Sequence, residues 1–157
     1  MKTVVIAGGA GFIGSHLVDR VLKNGDKVIV IDDLSTGSRD NISDAKRLHP
    51  DRISFHELDI CSTECSELIK KVKPDILHIL AAQWSVKVSM RNPAEDARVN
   101  IGGLVNLLEA AREAGVTKVT FATSGGTIYG DHGEDKLPLN EDTSPRLPAS
   151  FYGLTKS

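Results

Sequence analysis

The sequence predicts an α/β fold, a doubly wound parallel sheet with helices on both faces. Short apolar runs rich in β-branched residues recur along the chain, each about five residues long. The segments between them carry helical periodicity. Stretches rich in Gly, Asp, Asn and Ser follow the runs, where a sheet of this kind keeps its ligand site. Strands buried between helices pair in parallel, and right-handed crossovers wind them in the doubly wound manner.

The elements follow in order. Thr3–Ala7 is the first strand, and a helix is expected over Ile13–Asn24 with Leu17, Val21 and Leu22 on one face. Lys27–Ile31 is the second strand; Leu34–Asn41 after it reads as a loop. Ile53–His56 and Ile76–Leu80 are the third and fourth strands. A long helix is expected from Pro93 to Ala114, with Val99, Leu104, Leu107, Leu108 and Ala111 as its apolar stripe and Gly115 as its terminating glycine. Val119–Thr123 is the fifth strand, and Gly130–Ser150 reads as a second loop. No internal repeat or low-complexity run interrupts the pattern.

With 157 residues, 40% hydrophobic and 25% charged, the chain has the composition of one soluble domain. A net charge of −2 gives no electrostatic reason to expect nucleic acid or an anionic membrane as partner. Cys61 and Cys65 have no second cysteine or histidine pair beside them to complete a zinc site, so reduced, packed thiols and no metal are expected. No leader-like segment opens the chain and no apolar segment reaches the roughly 20 residues that cross a bilayer, which predicts a cytoplasmic address.

Directly after the first strand, Gly8, Gly11 and Gly14 follow a GxxGxxG spacing within Gly8-Gly9-Ala10-Gly11-Phe12-Ile13-Gly14. Glycine lets the backbone turn tightly and approach a pyrophosphate held by the N–H groups of a helix start. The second strand ends in Asp32-Asp33, Asp32 standing 18 residues beyond Gly14. An acidic residue at this distance meets the adenosine ribose, accepts hydrogen bonds from its hydroxyls and repels a 2′-phosphate. NAD is therefore expected over NADP, and the carboxylate weighs against Arg39 as a 2′-phosphate receptor.

Near the other end, Tyr152-Gly-Leu-Thr-Lys156 places a phenol and an ammonium one helical turn apart on one face. A phenol with an ordinary pKa of about 10 is a poor base at neutral pH, and a nearby ammonium stabilises its phenolate.

The opening Gly8 to Leu17, Asp32-Asp33-Leu34, Asp59-Ile60, Ala81-Ala82-Gln83, Asn100, Tyr129-Gly130 and Tyr152 to Lys156 together resemble the extended short-chain dehydrogenase/reductases. Among these the chain is most similar to the branch of the NAD-dependent sugar-nucleotide epimerases and dehydratases that holds the UDP-glucose 4-epimerases. The resemblance runs from Met1 to Ser157 and implies a Rossmann-type sheet and bound NAD that is regenerated within each turnover. It implies that Phe12 and Ile13 cover the pyrophosphate and that Asp59 and Ile60 flank the adenine. Asp33, Leu34, Ser35, Thr36 and Gly37 join the cofactor contacts, Leu80, Ala81, Ala82 and Gln83 line the cofactor, and Asn100 buttresses the site. Tyr152 would take the proton of the sugar 4-hydroxyl, and Lys156 would hold the nicotinamide ribose. The register that in the family carries a third catalytic hydroxyl falls here on Gly125. Ser124 is the nearest candidate, with Thr123 and Thr127 behind it, and its alternative role is to cap the fifth strand's end. The Thr-Asp-Glu triplet of the family's 4,6-dehydratases is absent from this segment, which leaves epimerisation of a UDP-hexose ahead.

Relatives of this kind continue for about as long again. Residues 1–157 are thus expected to be the NAD-binding domain without the C-terminal part of its fold, the substrate domain lying outside the chain. Two functions remain open: the NAD-binding part of a 4-epimerase, or of another nucleotide-sugar enzyme such as a 4,6-dehydratase or a glucuronate epimerase or decarboxylase, and a dinucleotide-binding module without turnover. The resemblance further implies a homodimer through the helix after Pro93 and the one starting near Tyr152, weakened here because the second is short. The sugar is not encoded in these residues, and Trp84 faces either substrate or core.

Overall fold

The structure, a computed structural model, describes residues 1–130, 132–133, 137–143 and 147–157. Contacts divide the chain into two units, Met1–Ala82 with Gly102–Phe121, and Gln83–Ile101 with Ala122–Ser157.

In the first unit, β1 (Thr3–Ala7), β2 (Lys27–Asp32), β3 (Ile53–Glu57), β4 (Ile76–Ile79) and β5 (Lys118–Phe121) form one parallel sheet of order β3-β2-β1-β4-β5. The chain builds outward from β1 through β2 to β3, then returns to β1's other side with β4. The strand order therefore reverses beside β1, where a doubly wound sheet opens its crevice. All five predicted strands are present, but the fourth and fifth end early. After Ile79 the N–H groups of Leu80 and Ala81 both turn to the carbonyl of Ala7, at 2.8 and 2.9 Å, which ends β4. The ladder to β5 accordingly stops at Ile79 and Phe121, and Ala122 and Thr123 lie outside it.

Alternation along the strands sends Val4, Ile6, Val28 and Val30 to one face of the sheet. There they pack with Val18, Val21 and Leu22 of α1 (Phe12–Lys23) and with Ile42 and Ala45. Val18 is fully buried while the predicted Leu17 is only half-buried, so the apolar face of α1 is centred one residue later than the sequence suggests. Ala45 belongs to α2 (Ser43–Leu48), which follows a short 3₁₀ turn over Arg39–Ile42. That turn takes the end of the predicted 34–41 loop. Val5, Ala7, Ile31, Leu77 and Ile79 are equally buried on the opposite face. The buried Cys65 and Ile69 of α3 (Thr63–Val72) and Leu107, Ala110 and Ala111 of α6 (Leu104–Ala114) complete that layer. Gly115 ends α6 in the left-handed conformation, φ 73°, as its position predicts.

The helix predicted over residues 93–114 is not continuous. It consists of α5 (Pro93–Ala97), a π-helical stretch (Arg98–Gly103) and α6. The Gly102-Gly103 pair has low helix propensity and gives the wider turn little to resist. On α6 Leu107 and Ala111 are buried with Ala110, while the predicted Leu108 is 41% exposed.

The second unit contains α4 (Val86–Arg91), α5, α7 (Gly125–Ile128) and α8 (Phe151–Lys156), with α4, α5 and α7 each packed on α8. Short helices need caps because isolated turns are marginal. Ser85, Asn92 and Ser150 supply them to α4, α5 and α8, accepting from the N–H of Val88, Glu95 and Gly153. The described residues between Gly130 and Ser150 are loop, as expected; residues 131, 134–136 and 144–146 of that segment lie outside the described residues. No helix among the described residues is long and apolar enough to cross a membrane.

Candidate cofactor and active site

The glycine loop curls on itself at the C-terminal end of β1. Gly8 takes φ +83°, donates its N–H to the Ile31 carbonyl at 2.7 Å, and accepts from the Gly11 N–H at 3.2 Å. A Cβ on Gly8 would stand 2.5 Å from the Ala81 nitrogen, and one on Gly14 only 2.0 Å from the Gly8 carbonyl oxygen. Both positions exclude any side chain. The first turn of α1 opens beyond this loop, and Phe12 and Ile13 are exposed there at 79% and 65%. The amides of that turn carry the positive end of the helix dipole and suit an anion.

Asp32 stands at the tip of β2, 7% exposed. Its Oδ2 accepts from the Ala10 N–H of the glycine loop at 2.9 Å, and its Oδ1 from the Leu34 N–H at 3.0 Å. A carboxylate offers about four acceptor sites, so this leaves room for hydroxyl donors. Burial pushes the Asp32 carboxyl above its usual range, against the lowering effect of these backbone bonds. The folded chain thus binds this proton more readily than the unfolded chain does. The contribution to stability is then greatest below the unfolded value and is lost as pH rises through the folded one. As pH rises above the ordinary Asp value of about 3.9, the wild type should lose stability relative to Asp32→Asn, as measured by urea unfolding at each pH. A constant difference would show that Asp32 titrates alike in both states.

Asp33 is exposed and receives the N–H and O–H of Ser35 at 2.9 and 2.6 Å. Leu34 and Gly37 are half-buried, and Ser35 and Thr36 are exposed. Arg39 is committed elsewhere: its Nη2 lies 2.6 Å from Glu57 Oε2 and its guanidinium 4.7 Å over the Phe55 ring. After β3, Asp59 Oδ1 accepts from the Cys61 N–H at 2.8 Å, and Ile60 is buried.

Two carboxamides that sequence reasoning missed hold these loops. Asn41 Nδ2 donates to the Ala10 carbonyl at 2.7 Å, and Asn106 Nδ2 donates to the carbonyls of Ile60 and Ser62 at 2.7 and 3.0 Å. Nothing local marks either one, since an Asn on a helix is ordinarily a solvated residue.

In the second unit Gln83 and Asn100 are joined to each other. The Gln83 N–H donates to Asn100 Oδ1 at 2.9 Å, and Asn100 Nδ2 donates to the Gln83 carbonyl at 3.0 Å. Tyr152 and Lys156 share α8, the tyrosine half-buried and the lysine 5% exposed. Burial lowers the Lys156 ammonium below the usual lysine range, and the charge of Asp96 partly restores it. Of the three candidate hydroxyls, Thr123 donates to the Lys156 carbonyl and Thr127 to the Ser124 carbonyl at 3.1 Å. Ser124 stands at the N-cap of α7, where its side chain makes no helix-capping bond. A Cβ on Gly125 would meet open space. Trp84 is 64% exposed and does not pack as core.

The NAD dependent epimerase/dehydratase family model matches residues 4–157. The chain is 45% identical over 156 residues to the UDP-glucose 4-epimerase of Mycolicibacterium smegmatis, covering 99% of this chain and 48% of that protein. It superposes on the UDP-glucose 4-epimerase of Thermus thermophilus in complex with NAD with a TM-score of 0.87 and 41% identity, over 98% of this chain and 47% of that one. The UDP-glucose 4-epimerase of Thermotoga maritima with UDP-glucose gives the same TM-score of 0.87, identity of 41% and coverage of 98% and 47%. The chain spans about half the length of the relatives it matches.

Proposed function

The chain belongs to the NAD dependent epimerase/dehydratase family, and from that premise we propose that it is the NAD-binding part of a nucleotide-sugar 4-epimerase that acts on UDP-hexoses of the glucose and galactose type. The observation that carries this reading is the burial of Lys156 one turn after Tyr152. Taking an ammonium out of water is unfavourable, and one held a helical turn from a phenol serves proton abstraction as well as cofactor binding.

The residues present fit NAD. Gly8 and Gly14 leave the loop bare for a pyrophosphate, and the Asp32 carboxylate suits two ribose hydroxyls while opposing a 2′-phosphate. Arg39 is paired with Glu57, which partly neutralises it as a counter-charge to such a phosphate. The amides at Phe12 and Ile13 would hold the pyrophosphate with Gly11; Asp33 to Gly37 would border the adenosine ribose, and Asp59 and Ile60 the adenine. Leu80 to Gln83 would line the cofactor, Asn100 would fix Gln83, and Lys156 would hold the nicotinamide ribose. When bound, NAD would supply a reversible two-electron acceptor for sugar C4. Tyr152 Oη would take the proton of the 4-hydroxyl and return it after the sugar turns over. The Ser124 hydroxyl would donate a hydrogen bond to the reacting oxygen. The assignment of residues 1–157 to the cofactor domain, with the substrate domain outside it, belongs to the same proposal, as do a cytoplasmic address and a weakened homodimer.

Calorimetric titration should show NAD bound at least about tenfold more tightly than NADP, ~1.4 kcal/mol. UDP-galactose to UDP-glucose conversion is then assayed with this chain and with any longer protein of which it is a part. Tyr152→Phe should keep NAD affinity within about threefold and lower turnover by about a thousandfold, ~4 kcal/mol of barrier. Equal binding of the two cofactors, or full turnover by Tyr152→Phe, would defeat the proposal.

A further inference from the structure

Asp96 on α5 is fully buried, and its carboxylate collects three donors. Oδ2 lies 2.6 Å from Thr155 Oγ1; Oδ1 lies 2.5 Å from Gln83 Nε2 and 3.3 Å from Asn100 Nδ2. Thr155 precedes Lys156 on α8. Its hydroxyl also accepts from Asn100 Nδ2 at 3.1 Å and lies 3.2 Å from the Tyr152 carbonyl. A hydroxyl has one proton, and the shorter, charge-assisted bond to Asp96 is where it goes.

We propose that Asp96 is the positioning residue for Lys156, fixing α8 through the Thr155 hydroxyl and holding the neighbouring ammonium in its charged form. This rests on the reading of Lys156 as the lysine of the cofactor site. A tether between α5 and α8 alone would not need a buried charge, since an apolar pair of the same volume joins two helices at least as stably. A buried carboxylate near the buried ammonium of the adjoining helix has a different consequence: it favours the charged form of the lysine. Among the described residues of the helices packed on α8, the remaining ionisable groups do not compete for this role. On α5, Glu95 is paired with Arg98 at 2.7 Å; α4 carries the exposed Lys87 and Arg91; α7 carries no ionisable group; and α8 itself adds only Tyr152. Burial lowers the Lys156 ammonium and Asp96 opposes that shift, in the direction this arrangement requires.

The test titrates the Lys156 side chain by NMR in the wild-type chain, Asp96→Asn and Thr155→Val, with Lys156→Met to assign its resonance, and measures NAD affinity on the same samples. In the wild type, the Asp96 carboxyl carbon should show a step at the Lys156 midpoint. Asp96→Asn should lower that midpoint by about one pH unit, and Thr155→Val by less than half of that. NAD affinity should fall by about tenfold in Asp96→Asn and several-fold in Thr155→Val. A role confined to packing would move stability but leave the midpoint where it is. An unmoved midpoint in folded Asp96→Asn overturns the proposal, as does the absence of the wild-type step if that variant does not fold. Wild-type NAD affinity in Lys156→Met would instead remove the premise about the lysine, and the midpoint would still decide whether Asp96 sets its charge.

Discussion

Replacing Gly14 with alanine is expected to weaken NAD binding by at least about a hundredfold, ~2.7 kcal/mol, and to lower stability by about 3 kcal/mol. The new Cβ would fall 2.0 Å from the Gly8 oxygen and 2.7 Å from the Gly9 Cα, both backbone atoms. Neither can rotate away as a side chain would. Gly8 cannot retreat without breaking its 2.7 Å bond to the Ile31 carbonyl and crowding Ala81. The loop must therefore open and the α1 amides must turn from their common direction. In a chain of this size the melting temperature should drop by roughly 6–12 °C. Gly25→Ala is the control. Gly25 has positive φ, +88°, and nothing lies within 4 Å of its added Cβ. It should cost only the left-handed strain of about 1–2 kcal/mol and leave NAD affinity unchanged. Gly14→Ala binding NAD within about threefold of wild type would show that the loop does not cradle the cofactor.

Lys156→Met should separate function from stability. NAD affinity is expected to fall by about ten- to a hundredfold, ~1.4–2.7 kcal/mol, while the folded chain at neutral pH becomes at least as stable as wild type. The reason lies in the sign of the shift: burial outweighs the attraction of Asp96 and lowers the ammonium below its ordinary range. A lysine whose folded pKa lies below the unfolded value, about 10.4, binds its proton less readily when folded. It penalises the native state below the folded pKa, and the penalty lifts as pH rises through that value. The advantage of Lys156→Met in urea unfolding should thus shrink as pH is raised toward about 10.4. After the substitution Asp96 keeps its three donors from Thr155, Gln83 and Asn100, which limits the cost of losing its cation. A variant less stable than wild type at neutral pH would mean that the attraction between Asp96 and Lys156 outweighs the cost of burying the ammonium.

Much of the candidate cofactor site was legible in the residues themselves. Gly8, Gly11 and Gly14 after an apolar run, and Asp32 at the end of the next, mark a tight glycine loop and a carboxylate at the neighbouring strand tip through local backbone requirements. The loop is where that spacing puts it, and Asp32 is tied to it by the Ala10 amide. The supporting residues were not legible. Asp96 and Thr155 are 59 positions apart, Asn106 and Ile60 are 46, and Asn41 and Ala10 are 31. Periodicity says which face of a helix an Asn or Asp occupies. It does not say which distant carbonyl or hydroxyl that face will meet.

The same division holds for the fold. Strand positions, the start of α1 and the glycine that ends α6 follow from side-chain branching, the absence of a Cβ and the period of apolar residues, all of them properties of neighbours in sequence. The break in the helix after Pro93, the early end of β4 and the burial of Asp96 with Lys156 were decided by tertiary structure. Each depends on which backbone and polar groups arrive from remote parts of the chain to satisfy a donor or a charge, and a buried polar group's free energy is set by those partners and not by its own type.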